Sequence, residues 1–314
     1  MIFLTVHGKK YFDEITVENA GKNMNCIGIV GVGVMGRLVG AKLLENNFQV
    51  FGYDISPGRS EQAAGIGVSM VDRLADIAAR ANRIILFLPG PAEIRECVAG
   101  PDGLLAHAGK TSIIIDMSTS SPQTTADLAE AAEKAGVSYL DAPVLGRPAT
   151  IGKWALPVGG NLAAIAECRD IFGPVAAQVI PMGPSGAGHK VKLLNQLMFG
   201  AINAMTAEMM AVSEAVGVPP AKLYETITAS QAGTVSNLFK ELGRRVGQES
   251  YDEPTFTVRL LNKDVRLGIE MADAAGAPLI LGRAIDFLNQ ASLAQGFGEQ
   301  DTSVMWKNVK NFWK

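Results

Sequence analysis

The stretch from Cys26 to Asp54, CIGIVGVGVMGRLVGAKLLENNFQVFGYD, restricts the fold more than any other part of this 314-residue chain. It opens as a β-branched apolar run and passes Gly31, Gly33 and Gly36. It then reads as a helix and closes on a second apolar run that ends at Asp54. In a G-x-G-x-x-G loop the first glycine permits the tight turn. The second lets the backbone approach a pyrophosphate, and the third lets the helix pack against the strand. The helix start at Val34 and Met35 then points free N–H groups and a positive dipole end at the phosphates. A packing turn would explain the glycines alone. It would not explain strand, loop, helix and strand in this order with an acid at the end, where Asp54 is placed to accept both adenosine ribose hydroxyls. The stretch therefore predicts a dinucleotide site. A carboxylate at Asp54 repels a 2′-phosphate and favours NAD over NADP. Arg59, five residues on, is the alternative reader of such a phosphate, or else a solvated arginine at a helix start.

From residue 26 to about 182 the pattern alternates. Apolar runs at 27–31, 49–53, 83–88, 112–116 and 175–180 predict strands, and segments at 35–46, 72–81, 121–135 and 162–171 predict helices. That alternation predicts an α/β domain built on a doubly wound parallel sheet. After Gly183 the strand signal ends. Residues 186–217 read as one long helix, apolar on most faces, followed by helices near 219–229, 233–246, 257–275, 278–295 and 301–312. Pro219 and Pro278 stand at helix starts, Gly217 and Gly276 at helix ends. The expected organisation is an N-terminal extension at 1–23, a Rossmann-type dinucleotide domain at 24–183 and an all-helical domain at 184–314. Met24 is a plausible natural start.

Composition excludes several classes of partner. Net charge is −3 with 19% charged residues and no Lys/Arg cluster, so nucleic acid is not an expected partner. No apolar run reaches membrane-span length, and the first residues lack the apolar core of a signal peptide. Cys26, Cys97 and Cys168 are odd in number and widely spaced. They fit neither a disulfide framework nor a metal site, and point to a reducing, cytoplasmic setting.

Four further stretches narrow the reading: IIDMSTSSP (114–122), LDAPVLGRPATIGKWALPVGG (140–160), GAGHKVKLLNQ (186–196) and LLNKDVRLGIEMADAAGAPLILG (260–282). With the glycine loop, in this order over about residues 25–305, they resemble the β-hydroxyacid dehydrogenases. That family includes 3-hydroxyisobutyrate dehydrogenase and the tartronate semialdehyde, sulfolactaldehyde and succinic semialdehyde reductases. The resemblance implies a Rossmann domain, a long interdomain helix and a helical C-terminal domain, with the active site between domains. It also implies a dimer or tetramer formed through the helical domain, and a small anionic hydroxyacid or semialdehyde as substrate. The family motif G-x-G-x-x-x-K-x-x-N falls on Gly186, Gly188, Lys192 and Asn195, so Lys192 is the implied acid/base. A lysine beside a reacting carbonyl can donate the alkoxide's proton and, with its pKa lowered by burial, take it back. Asn195, on the same helix face, would hold the lysine or the substrate hydroxyl. By the same resemblance Ser118 and Thr119 meet substrate and nicotinamide ribose, Leu88 and Pro89 at a strand end line the cofactor, and Lys263 is a second lysine near the nicotinamide with Phe256 packed by it. Ser118 and Thr119 also read as an N-cap for the helix after Pro122. His189, with no partner visible in the sequence, reads as structural.

The chain departs from the family where the substrate's anion is held. The usual Ser-Gly-Gly after DAPV is Leu145-Gly146-Arg147, the segment from Asp141 to Gly152 is about two residues short, and the second asparagine of the usual pair is Gln196. Gly146, Arg147 and Gln196 are thus candidate substrate-binding residues of an altered pocket. Arg147 reads equally as a fork for a carboxylate or sulfonate and as a loop brace. Two other functions share this architecture. Imine reductases usually lack a lysine at position 192, and a non-catalytic dinucleotide-binding module would not need Lys192 and Lys263.

Overall fold

The computed structural model describes residues 25–109, 112–229, 236–277 and 279–312. The extension at 1–23, Met24 and Pro278 lie outside them. The chain divides into two compact units, the first ending at His189 and the second starting at Lys190.

Among the described residues of the first unit eight strands form one sheet: β1 (Cys26–Val30), β2 (Gln49–Tyr53), β3 (Ser69–Met70), β4 (Arg83–Leu86), β5 (Ile113–Asp116), β6 (Ser138–Asp141), β7 (Trp154–Gly159) and β8 (Ala176–Gly183), in the order β3-β2-β1-β4-β5-β6-β7-β8. The intervening helices are α1 (Val34–Glu45), α2 (Pro57–Ala64), α3 (Leu74–Arg80), α4 (Pro91–Ala99), α5 (Leu104–His107), α6 (Pro122–Lys134), α7 (Leu162–Glu167) and α8 (Arg169–Phe172). Strands β1 to β6 are parallel, as expected of a doubly wound sheet. The parallel expectation needs one correction. β7 meets β6 antiparallel at Asp141 and Gly159 and is itself parallel to β8.

Side-chain alternation shows why the sheet is covered on both faces. Ile27, Ile29, Ile85, Ile113 and Ile115 enter one buried cluster with Val39 and Leu43 of α1. Val30, Ile84, Leu86 and Ile114 enter another with Ile77 of α3 and Leu128 of α6. Successive strand residues point to opposite faces, so apolar runs without polar alternation need helices on both sides. The strand order reverses at β1, between β2 and β4. The carboxyl ends beside such a switch point are where open α/β sheets bind ligands.

The second unit is helical among its described residues: α9 (Ala187–Ala215, beginning in the last residues of the first unit), α10 (Pro220–Ala229), α11 (Asn237–Gly247), α12 (Val258–Ala274), α13 (Ile280–Ala294) and α14 (Met305–Asn311). Residues 301–304, expected within the last helix, form a helix cap at Asp301 and a short 3₁₀ turn. Met210 of α9, Val265 and Ile269 of α12, Ile285 of α13 and Trp306 of α14 share its core. Gly200 and Gly268 let helices approach closely: a Cβ would lie 2.9 Å from Ile285 Cγ2 and from Leu197 Cγ, respectively. Among the described residues no helix is long and apolar enough to cross a membrane.

Candidate active site

The glycine loop follows β1 directly, and its three glycines do three different things. Gly31 has φ +89° and donates its N–H to Tyr53 O at 2.9 Å. A Cβ at Gly36 would stand 2.1 Å from Gly31 O, so α1 packs on the turn only without a side chain there. Among the described residues a Cβ at Gly33 would meet nothing within 4 Å. Close packing with them therefore does not explain Gly33, and the open space in front of it suits a ligand. Gly33 caps α1 without any side-chain bond, leaving first-turn N–H groups for an anion. Val34 at that start is exposed, whereas Met35 packs against the core.

Asp54 lies just past β2, half-buried. Its Oδ2 accepts Val32 N at 3.0 Å and its Oδ1 accepts Ser56 N at 2.9 Å. The carboxylate is thus tied to the glycine loop, and each oxygen keeps acceptor capacity for a hydroxyl. Open backbone, an uncapped helix start and an oriented acid fit a dinucleotide. Arg59 is exposed in the first turn of α2.

Beyond the neighbouring strands, Leu88 is half-buried and Pro89 exposed, two and three residues past the end of β4. Ser118 is buried, and its Oγ accepts Leu88 N at 2.9 Å and donates to Leu86 O at 3.4 Å. Its hydroxyl therefore braces the β4 and β5 ends. Thr119 is half-buried. The N-cap role expected of Ser118 and Thr119 belongs instead to Ser121, whose Oγ accepts Thr124 N at 3.0 Å. His189, expected to be structural, has partners that the sequence does not show. It is fully buried, with Thr125 Oγ1 2.7 Å from Nδ1 and Ser118 O 3.1 Å from Nε2.

The altered loop is fixed by its backbone. Leu145 and Ala155 exchange both N–H···O bonds, at 2.9 and 3.2 Å. Trp154 is fully buried and donates Nε1–H to Arg147 O at 2.8 Å. Thr150 Oγ1 accepts Arg147 N at 3.1 Å and donates to Arg147 O at 3.0 Å. A Cβ at Gly146 would fall 2.1 Å from Trp154 Cδ1. Gly146 is exposed and Arg147 half-buried.

In the second unit α9 and α12 bring a polar cluster together. Gln196 is buried and donates Nε2–H to Asp264 Oδ2 at 2.5 Å. Lys263 Nζ lies 2.9 Å from Asp264 Oδ1. Asn195 is exposed and donates Nδ2–H to Gln196 Oε1 at 3.3 Å. Lys192, half-buried, has its pKa brought down from 10.5 to about 8. Burial is the main cause, Lys263 adds to it, and Asp264 opposes it. Phe256 packs edge-on against Phe199, with ring centroids 5.3 Å apart. The sequence reading missed Asp264, which is buried and ties Gln196 to Lys263. Its signal was an acid inside an otherwise amphipathic helix, directly after a lysine already singled out. Buried Asp116 and Asp141 were missed as well. Both stand at the last position of an apolar strand, the sheet edge at which this fold places its ligands.

Residues 26–183 match the family model of the NAD-binding domain of 6-phosphogluconate dehydrogenase. Residues 186–309 match that of the NAD-binding region of NADP-dependent 3-hydroxyisobutyrate dehydrogenase. The uncharacterized oxidoreductase YkwC of Bacillus subtilis is 30% identical over 90% of this chain and 97% of its own length. Mitochondrial 3-hydroxyisobutyrate dehydrogenase of Bos taurus is 28% identical over 90% of this chain and 86% of its own. The crystal structure of a 3-hydroxyisobutyrate dehydrogenase from Salmonella typhimurium superposes with a TM-score of 0.83 at 25% identity, covering 90% of this chain and 99% of that one. A Rossmann NAD-binding domain followed by a helical C-terminal domain, with the glycine loop at the switch point, defines a dinucleotide-binding oxidoreductase. Within that class, the chain belongs to the β-hydroxyacid dehydrogenase family.

Proposed function

We propose that this protein is an NAD(H)-dependent oxidoreductase that interconverts a small anionic β-hydroxyacid and its semialdehyde, with Lys192 as the acid/base. The observation that carries the reading is that one chain holds both an open glycine loop backed by Asp54 and a lysine brought to a pKa of about 8 beside the buried Asp264. Residues 24–183 would form the cofactor domain and 184–314 the substrate and oligomerisation domain.

Gly31, Gly33, Val34, Met35 and Gly36 would hold the pyrophosphate, and Asp54 the adenosine ribose. Leu88, Pro89, Thr119 and Lys263 would border the nicotinamide end. Bound nicotinamide would supply the hydride in reduction and accept it in oxidation. In reduction Lys192 gives its Nζ proton to the developing alkoxide; in oxidation the neutral amine takes the hydroxyl proton. A pKa of about 8 keeps both forms populated near neutrality, which suits a reversible acid/base. Asn195 would hold the reacting oxygen or the lysine, and Gln196 would act from its anchored position on Asp264. Ser118 would contribute through the loop it braces. Gly146 and Arg147 would receive the substrate's far end, the guanidinium favouring a carboxylate or sulfonate.

Asp54 favours NAD over NADP because a carboxylate repels a 2′-phosphate and here is already tied to the loop. Leu194, Met198, Met205, Met209 and Val212 leave an apolar row exposed along α9, at three-, four- and seven-residue spacing. That row supports a homodimer or homotetramer built through this helix.

The test is a panel of small anionic semialdehydes, sulfolactaldehyde among them, assayed with NADH and with NADPH. Turnover with NADH on at least one substrate is expected. Tight NADH binding with no turnover on any would favour a non-catalytic module, and preference for NADPH would overturn the cofactor assignment.

A further inference from the structure

Asp116 and Asp141 are paired residues on adjacent strands, β5 and β6, and both are fully buried. Each carboxylate already accepts two hydrogen bonds. Asp116 receives Ser118 N at 2.9 Å and the Tyr139 hydroxyl at 2.8 Å. Asp141 receives Gly186 N at 2.7 Å and His189 N at 2.8 Å, capping the start of α9. Two buried carboxylates side by side repel each other, and because each of their four oxygens already accepts an N–H or O–H, a counter-charge relieves this more readily than a proton on either. The group between them is the His189 ring, with Nε2 4.0 Å from Asp116 Oδ2 and Nδ1 3.9 Å from Asp141 Oδ2.

Hydrogen bonds and charge together assign the ring's protons. Nε2 faces Ser118 O at 3.1 Å, and a carbonyl can only accept, so Nε2 carries a proton. Nδ1 faces Thr125 Oγ1 at 2.7 Å, and Ser121 O lies 3.1 Å from the same hydroxyl, so its single proton has two acceptors to choose between. The negative charge of Asp116 and Asp141 on either side favours a proton on Nδ1, which turns the hydroxyl toward Ser121 O. The side chains at the ring are Asp116 from β5, Asp141 from β6 and Thr125 from α6, and Tyr139 of β6 reaches Asp116. Tyr139 stays a donor, since burial and Asp116 push its pKa well above 10. On its own helix the nearest cations are the exposed Lys190 and, one turn on, Lys192.

We propose that His189 is a positioning residue that works as a doubly protonated ring, clamping the Asp116–Thr119 turn, the end of β6 and the first turn of α9 to one another. The turn it holds carries Ser118 and Thr119, and the helix it starts carries Lys192 three residues later. The functional half rests on the activity proposed above; the protonation half does not.

The experiment is 15N NMR of the full-length protein labelled at histidine. The chain has three histidines, and the His189 signals are those missing from a His189→Gln variant. Two protonated ring nitrogens, each with a slowly exchanging proton, are expected for His189. One unprotonated nitrogen would overturn the proposal. Should His189→Gln fail to fold, Thr125→Val gives the assignment, because removing the acceptor should speed exchange at Nδ1 alone while Thr125→Ser leaves it slow. In kinetics well below the melting midpoint, His189→Gln should lower kcat/KM about tenfold or more, with a smaller loss in Thr125→Val. A folded His189→Gln enzyme within twofold of wild type would remove the positioning role. If wild type turns over no semialdehyde, the proposed activity fails, whereas the ring-nitrogen result is read without substrate and stands alone.

Discussion

Gln196 donates its side-chain N–H to Asp264 at 2.5 Å, and the other oxygen of the same carboxylate meets Lys263 at 2.9 Å. Asp264 also raises the pKa of Lys192, against burial and the Lys263 charge. Alcohol oxidation needs neutral Lys192, so its kcat/KM should rise through an apparent pKa of about 8, and aldehyde reduction should fall above the same value. Lys192→Ala should lower turnover roughly two to four orders of magnitude and abolish the inflection while NADH still binds. Asp264→Asn should move the inflection below about 8, because the opposing carboxylate is gone. Stability carries the same sign. The folded pKa lies below the unfolded value of 10.5, so the unfolded chain holds more protons between about 8 and 10.5 and stability should rise with pH across that window. Pre-steady-state rates and melting curves against pH check each part.

Asp54→Asn removes the charge and keeps an oxygen acceptor for only one of Val32 N and Ser56 N, since its amide nitrogen cannot accept the other. NADH affinity should weaken on the order of tenfold while NADPH affinity improves or holds. Fluorescence titration with both nucleotides decides it, and a wild type that prefers NADPH would hand the role to Arg59.

Gly33 and Gly36 should separate cleanly. Gly33→Ala meets no packed atom, so its melting midpoint should match wild type while dinucleotide affinity falls about tenfold or more. Gly36→Ala drives a methyl onto Gly31 O and should cost about 2–4 kcal/mol of stability before cofactor is considered. Equal melting losses in the two variants would contradict the division of labour described for the loop.

These glycines mark how far sequence alone reaches. Turn geometry needs glycine for reasons local to a few residues, so the loop, β1, α1 and β2 were legible, as was α9 from its length and end signals. β6 and β7 were not. β6 has four residues ending in an acid, and β7, WALPVG, has Pro157 in its middle, which argues against a strand unless neighbours override it. Asp264 and His189 were illegible for another reason. Burial of a polar side chain depends on what a distant segment places against it, and helical spacing does not reveal whether an acid beside a lysine faces water.

Arg147 has its backbone N–H bonded to Thr150 and its carbonyl bonded to Trp154 and Thr150, so its substitution should leave the loop's path intact. A two-pronged desolvated contact is worth about 1.5–3 kcal/mol. Arg147→Ala should therefore raise KM roughly tenfold or more for an anionic substrate and hardly change turnover of a short uncharged aldehyde. Arg147→Lys should recover only part, since an ammonium lacks the fork. Equal losses on both substrates would make Arg147 a brace of the loop.

The exposed row on α9 predicts self-association. Sedimentation at micromolar concentration should give a dimer or larger, and Met205→Glu, placed on a side chain 56% exposed, should shift it toward monomer without lowering helix content. A monomeric wild type would remove oligomerisation from the proposal.

The indole of Trp154 occupies the space a side chain at Gly146 would need. That contact ties together two positions eight residues apart for anyone who engineers the loop. The Leu145–Ala155, Arg147–Thr150 and Arg147–Trp154 bonds run through the backbone of 145 and 147 and survive a change of side chain there, but 146 is held at glycine for as long as a large ring stands at 154. A library that randomises 145–147 to reach a new substrate should return glycine at the middle position whatever is selected. Variants that break this pattern become accessible only when residue 154 is reduced in the same step.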